Sequence, residues 1–483
     1  MMSEDLDRKI RDVFPDESVY KMPQNYGVFS GRNIPSFIKD WLIKKFTDED
    51  GTLDKQGLLS YLDRFLPDKK QAQIIKKQLV QTQEPYTVLA RVQTQADIKK
   101  GIIRFSIPDF GIGPGEGIIP RSLIEAHPEL MADEIWGIFT LVYEPEDEHT
   151  PGHISVMDFK PFKPYEVDLD YFKEGRKEFT LEEWIDVLIR AMEYMPTGFE
   201  SAQQKLLFLS RLLVFVEPRL NMIELAPKGT GKSYIFNNLT KYGWCISGGT
   251  VTRAKMFYDI SRRSFGYITR YDFVALDEIE TLKFAEEEEL KGALKNYLEL
   301  GKFTIADVTK TSEAGFMLLG NIPLTSEHKP INDIYFSHLP DFFRDSALLD
   351  RFHGFIEGWH LPRINEDMKV SGYTLNVEFF SEILHKLRER SEYAAIVDEL
   401  LDIPPKADTR DVTAVKRLCT AYLKILFPHI TDSSQITKEE FETYCLKPAL
   451  EKRAIVKRQI HLMDPEFKAA IPDIVVKQDH VST

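Results

Sequence analysis

The sequence is poor in cysteine, has no long apolar segment and carries no excess of basic residues. Its three cysteines, Cys245, Cys419 and Cys445, are widely spaced and form no CxxC pair. We therefore expect free thiols in a reducing compartment and neither a zinc site nor a disulfide framework. No run approaches the roughly 18 apolar residues of a membrane span, and the acidic residues 1–5 do not resemble a signal peptide. These features predict a cytoplasmic protein without a membrane partner.

The charge balance excludes a surface that is basic everywhere, because 62 Lys and Arg residues stand against 76 Asp and Glu residues, for a net charge of −14. A nucleic-acid partner is not excluded, since a channel can be basic locally while the exterior is acidic. A chain of 483 residues is too long for one hydrophobic core, so we expect several domains.

Residues 226–233, Ala-Pro-Lys-Gly-Thr-Gly-Lys-Ser, follow a short apolar run and predict a phosphate-binding loop between a strand and a helix. In such a loop the backbone N–H groups surround the anion. Lys232 is expected to reach the β- and γ-phosphates of ATP, and the Ser233 hydroxyl to bind Mg²⁺. Ala226 replaces the usual first glycine, and alanine is the smallest side chain that could stand there. The other predicted nucleotide-binding residues of the loop are Pro227, Lys228, Gly229, Thr230 and Gly231.

A second apolar run, residues 273–276, ends in two carboxylates. Asp277 is expected to hold Mg²⁺ through water, and Glu278 to orient and deprotonate the attacking water. The alternative is a strand that merely ends in a solvated acidic turn, since Glu280 follows. The distance along the chain from Lys232 favours the catalytic interpretation, because it accommodates the strands and helices of a parallel nucleotide-binding sheet.

A third apolar run ends at Asn321, whose amide is able to bond both the γ-phosphate and the attacking water; an ordinary turn is the alternative. Arg351 follows thirty residues later, and we expect it to reach the γ-phosphate of a neighbouring subunit as a finger in trans. Arg344 competes for that role, with a surface salt bridge as the alternative for either. Arg410 is a candidate second sensor for the nucleotide, although a helix cap at Asp408 explains that segment equally well.

The periodicity of apolar residues suggests the domain organisation. Alternation at 86–92 and 102–107 predicts strands, whereas 37–46 and 415–423 follow helical spacing. The predicted fold is an α/β P-loop core, a parallel sheet with a helical lid, preceded by helical and β-rich domains; an OB-like fold is one candidate for the β-rich domain. The predicted domains are a helical N-terminal domain (1–85), a β-rich domain (86–165), a helical linker (166–219), the nucleotide-binding core (220–375), a helical lid (376–470) and a flexible tail (471–483).

These elements in this order resemble the AAA+ superfamily of ring ATPases. Ser-Gly-Gly-Thr-Val-Thr at 247–252, Ala-Lys-Met-Phe-Tyr at 254–258 and Asp-Phe-Val-Ala-Leu-Asp-Glu at 272–278 are similar to the Lon-like ATPases of the bacteriophage-exclusion (BREX) defence systems, the BrxL family. Residues 28–42 and 133–137 also resemble that family, so the similarity covers most of the chain. About a hundred residues follow the core, and the resemblance is to a form that lacks the C-terminal Lon protease-like domain.

The resemblance implies a hexameric ring, alone or stacked on a second ring, with duplex DNA in its channel and other BREX components as partners. Residues 300–306 resemble the hairpin before the sensor strand in replicative helicases. By that resemblance Lys302 and Lys310 face the pore and contact DNA phosphates, while Lys255 and Phe257 line a second pore loop. For the lysines, ordinary surface charge is the alternative.

Three functions are open at this point. The favoured one is a Mg²⁺-dependent ATPase that encircles and moves along duplex DNA in phage defence. The first alternative is a nucleotide-gated ring that binds DNA or a partner without processive motion; such a gate would not need Glu278 and Arg351. The second is a protein unfoldase or a Lon-type protease-related ATPase. Peptide hydrolysis is not expected, because no serine after the core lies in the context of a nucleophile.

Overall fold

The structure, a computed structural model, describes most of the chain. Residues 31, 33 and 133, which belong to segments of the resemblance, and 478–483 of the predicted tail lie outside the described residues. The described residues are 2–30, 32, 34–48, 52–97, 100–131, 134–146, 151–162, 165, 167–261 and 264–477.

The chain divides into two compact units whose boundaries differ from the predicted ones. One unit joins Met1–Lys21 to Val167–Thr483, and the other is Met22–Glu166. The first helix, α1 (Met2–Val13), and the first strand, β1 (Ser18–Lys21), therefore belong with the later part of the chain. The reason is a strand pairing that sequence separation conceals, since β1 pairs antiparallel with residues 372–375.

The Met22–Glu166 unit contains a closed five-stranded barrel with the order β2-β3-β4-β6-β5. Neighbouring strands are antiparallel except β4 and β6, which are parallel. This is the topology of an OB-like Greek-key barrel, so the predicted fold class is confirmed. The elements of the unit are α2 (Ser36–Lys45), α3 (Lys55–Phe65), α4 (Lys69–Thr82), β2 (Tyr86–Asp97), β3 (Ile102–Ile107), β4 (Ile112–Ile119), α5 (Arg121–Ala126), β5 (Glu134–Glu144) and β6 (His153–Pro161).

Local sequence explains these elements. Asp68 caps α4, because its carboxylate accepts a hydrogen bond from the Gln71 N–H. In turn the Gln71 side-chain oxygen accepts a hydrogen bond from the Asp68 N–H. In the barrel, apolar side chains alternate towards the interior, where Phe105, Phe139 and Phe159 are almost fully buried. Their burial outweighs the cost of ordering the strands.

The nucleotide unit is built on a parallel sheet with helices around it. Its shorter elements, the two-residue strands and one π-helical turn at Glu442–Leu446, connect the main ones. The elements are α6 (Leu169–Lys177), α7 (Leu181–Ala191), α8 (Ala202–Leu209), α9 (Leu213–Val216), β7 (Asn221–Ala226), α10 (Lys232–Asn238), β8 (Gly243–Ser247), β9 (Thr250–Val251), α11 (Arg253–Met256), β10 (Tyr258–Asp259), β11 (Ser264–Phe265), β12 (Phe273–Asp277), β13 (Lys283–Phe284), α12 (Glu287–Leu300), β14 (Lys302–Ile305), β15 (Val308–Thr311), β16 (Gly315–Asn321), α13 (Ser346–Leu349), β17 (Gly354–Glu357), β18 (Gly372–Leu375), α14 (Val377–Arg388), α15 (Glu392–Leu400), β19 (Leu401–Asp402), α16 (Thr409–Leu426), α17 (Lys438–Phe441), α18 (Lys447–Met463) and β20 (Val475–Val476).

The main sheet has five parallel strands in the order β17-β7-β16-β12-β8. Strands β7 and β12 are buried along their whole length, as expected for a parallel sheet covered on both faces. Strand β16 lies between them, with Asn321 opposite Ala226 in the register. Because the carboxyl ends of parallel strands meet at one edge, the residues that follow β7, β12 and β16 are brought together.

Helices α14–α18 occupy the region predicted as a helical lid, and α18 packs against the edge strand β17. Over the ranges that the structure describes, no helix combines the length and the apolar character required to cross a membrane.

Candidate nucleotide-binding site

The predicted phosphate loop connects β7 to α10. Gly229 and Gly231 have φ values of 86° and 78°, a conformation that side chains other than glycine rarely adopt. The two glycines allow the loop to curl back on itself, so that its backbone N–H groups line a cradle for an anion. The loop therefore has the backbone geometry that binding of a triphosphate requires.

The alanine at the first position of the motif is accommodated by a glycine on the neighbouring segment. Ala226 is fully buried at the end of β7. A Cβ atom placed on Gly358 would lie 2.3 Å from the Ala226 Cβ, closer than two carbon atoms approach. Because Gly358 has no side chain, it leaves room for the Ala226 methyl group. The loop therefore keeps its conformation although alanine replaces the usual first glycine of the motif.

A buried ion pair supports the loop. Arg211 and Glu224 are fully buried, with 2.5 Å between Arg211 Nη2 and Glu224 Oε1. Arg211 Nη1 also donates to the Thr230 carbonyl oxygen at 2.8 Å, and on the other side the Ile364 N–H donates to the Gly229 carbonyl oxygen at 2.7 Å. Arg211 is not among the site residues predicted from the sequence. Its position inside an otherwise apolar run could have indicated it, because an arginine there needs a buried acidic partner.

Lys232 and Asn321 meet at the carboxyl edge of the sheet. The Lys232 ammonium is nearly buried and donates from Nζ to Asn321 Oδ1 at 2.9 Å. Burial lowers the pKa of Lys232, although the carboxylates of Glu224, Asp277 and Glu280 act in the opposite direction. Since an ammonium has three donors, two remain for phosphate oxygens.

The two carboxylates at the end of β12 differ in exposure. Asp277 is buried, and its Oδ2 accepts from the Ser247 hydroxyl at 3.4 Å while its Oδ1 accepts from the Glu278 N–H at 2.9 Å. Glu278 is exposed and has a φ of 48°, a left-handed conformation that is uncommon for a residue other than glycine and concentrates at functional sites. Asp277 is therefore fixed, whereas the Glu278 carboxylate is accessible to water.

The residues fit Mg²⁺ held together with a nucleotide. Among the described residues, no cluster of three or more His, Cys, Asp or Glu side chains could hold a metal ion. Mg²⁺ does not need one, because it commonly binds through one or two protein oxygens, with phosphate oxygens and water as the other ligands. Ser233 and Asp277 would supply those oxygens.

Comparison with known proteins agrees with this geometry. The family described as "Lon-like protease BrxL-like, ATPase domain" matches residues 154–473, and the family described as "BREX system Lon protease-like protein BrxL N-terminal" matches residues 12–143. The chain belongs to the BrxL family. The phosphate loop, Asp277, Glu278 and Asn321 all lie within the matched ATPase domain, so use of ATP follows from the match.

Two similar proteins are both named Lon-like protease BrxL. The protein from Escherichia coli O9:H4 (strain HS) is 27% identical over 435 residues, which are 89% of this chain and 61% of the relative. The protein from Bacillus cereus (strain H3081.97) is 28% identical over 465 residues, which are 95% of this chain and 67% of the relative. The aligned part thus covers less than two thirds of the E. coli BrxL protein.

In this BrxL-family chain Arg351 contacts the end of α12 and the helix α13. Its Nε is 2.8 Å from Glu299 Oε2, although the N–H is not directed at that oxygen, and its Nη1 donates to the Ala347 carbonyl oxygen. Arg344 is more exposed and pairs with Asp341. Each candidate finger arginine thus has a carboxylate partner, and the role of either in trans stays a prediction.

Arg410, the candidate second sensor at the start of α16, is paired with carboxylates. The Arg410 guanidinium contacts Glu299 at 2.9 Å and Asp350 at 3.1 Å. Asp408 caps α16, because its carboxylate accepts a hydrogen bond from the backbone N–H of Arg410. The helix-cap alternative thus describes the segment. The Arg410 guanidinium thus contacts the end of α12 from the first turn of α16, and its role as a second sensor stays a prediction.

Of the four residues expected to contact DNA, three are exposed and one is buried. Strands β14 and β15 form an antiparallel hairpin that carries Lys302 and Lys310, and Lys255 is exposed on α11. Phe257 is fully buried and packs against Tyr297 and Phe303, with ring centroids at 5.9 and 5.2 Å. The expectation for Phe257 is therefore corrected: its ring belongs to the core under the hairpin, because the short helix α11 turns it inward.

Proposed function

We propose that this chain hydrolyses ATP with Mg²⁺ in a ring of subunits that encircles duplex DNA and moves along it in phage defence. The observation that supports the proposal is that the pocket residues gather while the candidate finger arginine has other partners. Lys232, Asp277, Glu278 and Asn321 gather at one edge of the sheet, while Arg351 contacts Ala347 and Glu299. A neighbouring subunit in a ring would supply the missing guanidinium.

The residues of the pocket have separate tasks in the proposed reaction. When Mg²⁺–ATP is bound, water attacks its γ-phosphorus and ADP, whose charge the metal ion stabilises, is the leaving group. The exposed Glu278 carboxylate accepts a proton from that water, and Asn321 orients it. Lys232 neutralises phosphate charge from a nearly buried position, where the lower effective dielectric strengthens the attraction. The neighbour's finger would stabilise the charge of the transition state.

The charge distribution supports DNA as the partner. The chain carries a net charge of −14, yet the β14–β15 hairpin presents Lys302 and Lys310, and Lys255 is exposed on α11. A ring would repeat this set once per subunit and concentrate it around the axis. A hexamer, stacking of rings and binding to other BREX components belong to the same proposal.

The deciding experiment measures ATP turnover by the full chain with and without duplex DNA, for the wild type and for Glu278→Gln. We expect turnover that duplex DNA stimulates, and loss of turnover with retained ATP binding in the variant. Glu327→Gln is the matched control, because Glu327 is an exposed carboxylate in an isolated pair with Lys329. Turnover no higher than that of Glu278→Gln would contradict hydrolysis, and DNA binding that depends on ATP without turnover would instead support a nucleotide-gated ring.

A further inference from the structure

Glu280 contacts the sensor amide. It lies just beyond β12, three residues after Asp277, and is exposed. Its carboxylate accepts from Asn321 Nδ2 and, at 3.4 Å, from the Asn321 backbone N–H. The Asn321 Oδ1 atom accepts from Lys232. The amide is thus held between an anion on one side and a cation on the other.

This arrangement selects one orientation of the amide. With Oδ1 towards the Lys232 ammonium and Nδ2 towards the Glu280 carboxylate, both contacts are charge-assisted hydrogen bonds. The reversed amide would place N–H groups against the ammonium and an oxygen against the carboxylate. Because the NH₂ group has two hydrogens, one of them is engaged by Glu280 and the other remains available for a further acceptor.

We propose that Glu280 is a positioning residue, which holds the Asn321 amide so that its second N–H is directed to the γ-phosphate. The inference rests on the proposed ATP hydrolysis. It gives Glu280 a role in the site, whereas a solvated acidic turn after β12 would give it none. Glu280 touches neither the nucleotide nor the attacking water. Its hydrogen bonds go to Asn321, so its main effect passes through the amide and favours the triphosphate, beside a weaker electrostatic effect on Lys232.

Removing the carboxylate therefore has a specific expected effect. In Glu280→Ala the amide rotates more freely, and kcat falls by about tenfold to a hundredfold, the range for loss of one oriented charge-assisted hydrogen bond. KM for ATP rises by about the factor by which affinity for the analogue falls, and by less than kcat falls, because the loop and Lys232 still hold the β-phosphate. Glu280→Gln keeps one acceptor oxygen for Asn321 and retains more of kcat than Glu280→Ala.

The experiment uses the full chain and two readouts. Kinetics give kcat and KM, and calorimetry gives the affinities for ADP and for a non-hydrolysable ATP analogue. We expect Glu280→Ala to reduce the preference for the analogue over ADP. Glu288→Ala, which removes an exposed carboxylate on α12, is expected to leave both readouts unchanged. If the wild type binds nucleotides but does not hydrolyse ATP, the proposed function fails while the binding preference still tests Glu280.

A double-variant cycle with Asn321→Ala decides whether Glu280 acts through the amide. We expect Glu280→Ala to add almost nothing in the Asn321→Ala background, since the group that it orients is gone. Additive losses would overturn the proposal, as would an unchanged kcat and an unchanged nucleotide preference in Glu280→Ala. Thermal unfolding of each variant identifies a loss of fold, and Glu280→Gln then carries the comparison.

Discussion

Arg351 and Arg410 contact the same carboxylate, that of Glu299. The distances to Glu299 Oε2 are 2.8 Å from Arg351 Nε and 2.9 Å from Arg410 Nη2. One anion therefore lies against two guanidinium groups, of which Arg410 also contacts Asp350. In the proposed ring, a phosphate of a neighbouring subunit would have to replace the Glu299 carboxylate as the partner of Arg351.

The first prediction tests this placement by mixing inactive variants. Arg351→Ala keeps the phosphate loop but lacks the finger, and is expected to lose about a thousandfold or more in kcat. Lys232→Ala keeps the finger but lacks the loop lysine. In rings mixed at equal ratio, a fraction of interfaces combines the intact loop of one subunit with the intact finger of the next, so turnover returns to about a quarter of the wild-type value.

The control for the mixing experiment replaces Arg351→Ala by the double variant Lys232→Ala/Arg351→Ala, which is expected to restore nothing with Lys232→Ala. Steady-state ATP turnover measures both mixtures. If the mixture of single variants stays as inactive as its parts under conditions where the subunits exchange, Arg351 does not act across an interface.

The second prediction concerns Ala226 and Gly358. Gly358→Ala would place its Cβ 2.3 Å from the Ala226 Cβ and 3.0 Å from the Leu225 carbonyl oxygen. We expect a loss of about 1–3 kcal/mol in the free energy of unfolding, the range for overpacking a buried site, together with weaker binding of ATP. Ala226→Gly should recover part of both losses, because it removes the closer of the two contacts.

Gly292→Ala is the matched control for this pair, since a Cβ at Gly292 on α12 meets no heavy atom within 4 Å. Denaturant unfolding and calorimetric titration of the nucleotide provide the two measurements. An additive effect of Gly358→Ala and Ala226→Gly would mean that the alanine and the glycine do not share one space.

The parts of the site that the sequence predicted are those fixed by topology. An apolar run that ends in a polar residue identifies the carboxyl end of a buried strand, and in a parallel sheet those ends meet at one edge. Lys232 and Asn321 are distant along the chain, yet the strand order brings their side chains to 2.9 Å. The glycines of the loop were predictable for a similar reason, because the loop needs positive φ.

The parts that the sequence did not predict depend on how helices pack on the sheet. Nothing in the local pattern shows that Arg410 faces Glu299, since that contact depends on the direction of α16. The sequence around Phe257 suggests an exposed pore loop, but its ring packs in the core beneath the hairpin. Residues 18–21 pair with a strand more than three hundred residues later. Sequence separation conceals such a pairing, because closing a longer loop adds little to the cost of folding.

The third prediction concerns the buried pair of Arg211 and Glu224. Arg211→Ala leaves an uncompensated carboxylate in the core and is expected to cost about 3–5 kcal/mol in the free energy of unfolding. In Arg211→Met/Glu224→Leu both charges are absent, so part of that loss should be recovered even though the Thr230 carbonyl oxygen still lacks its donor. Lys329→Met, at an exposed pair, is expected to change stability by no more than about 0.5 kcal/mol. Equal stability of Arg211→Ala and the double variant would contradict a role for the buried charge.

The fourth prediction concerns Glu378, at the start of α14. Glu378 is fully buried, and its Oε1 is 2.5 Å from Lys241 Nζ, which also contacts Glu382 at 2.6 Å. Burial raises the pKa of Glu378 from 4.5 to about 7, an effect that the nearby Lys241 ammonium opposes. The folded state therefore favours the neutral carboxyl more strongly than the unfolded state does.

The sign of the resulting pH dependence follows from linkage. Because the folded pKa lies above the unfolded one, the protein gains stability as pH falls through 7 towards 4.5 and loses it as pH rises through the same window. Between pH 8 and pH 5 the wild type should gain about 2–3 kcal/mol relative to Glu378→Gln, whose amide does not titrate. Urea unfolding of both proteins at the two pH values measures this difference, and the contribution of groups common to both proteins cancels in it. A difference that stays constant with pH would show that Glu378 is charged in the folded protein and that Lys241 outweighs burial.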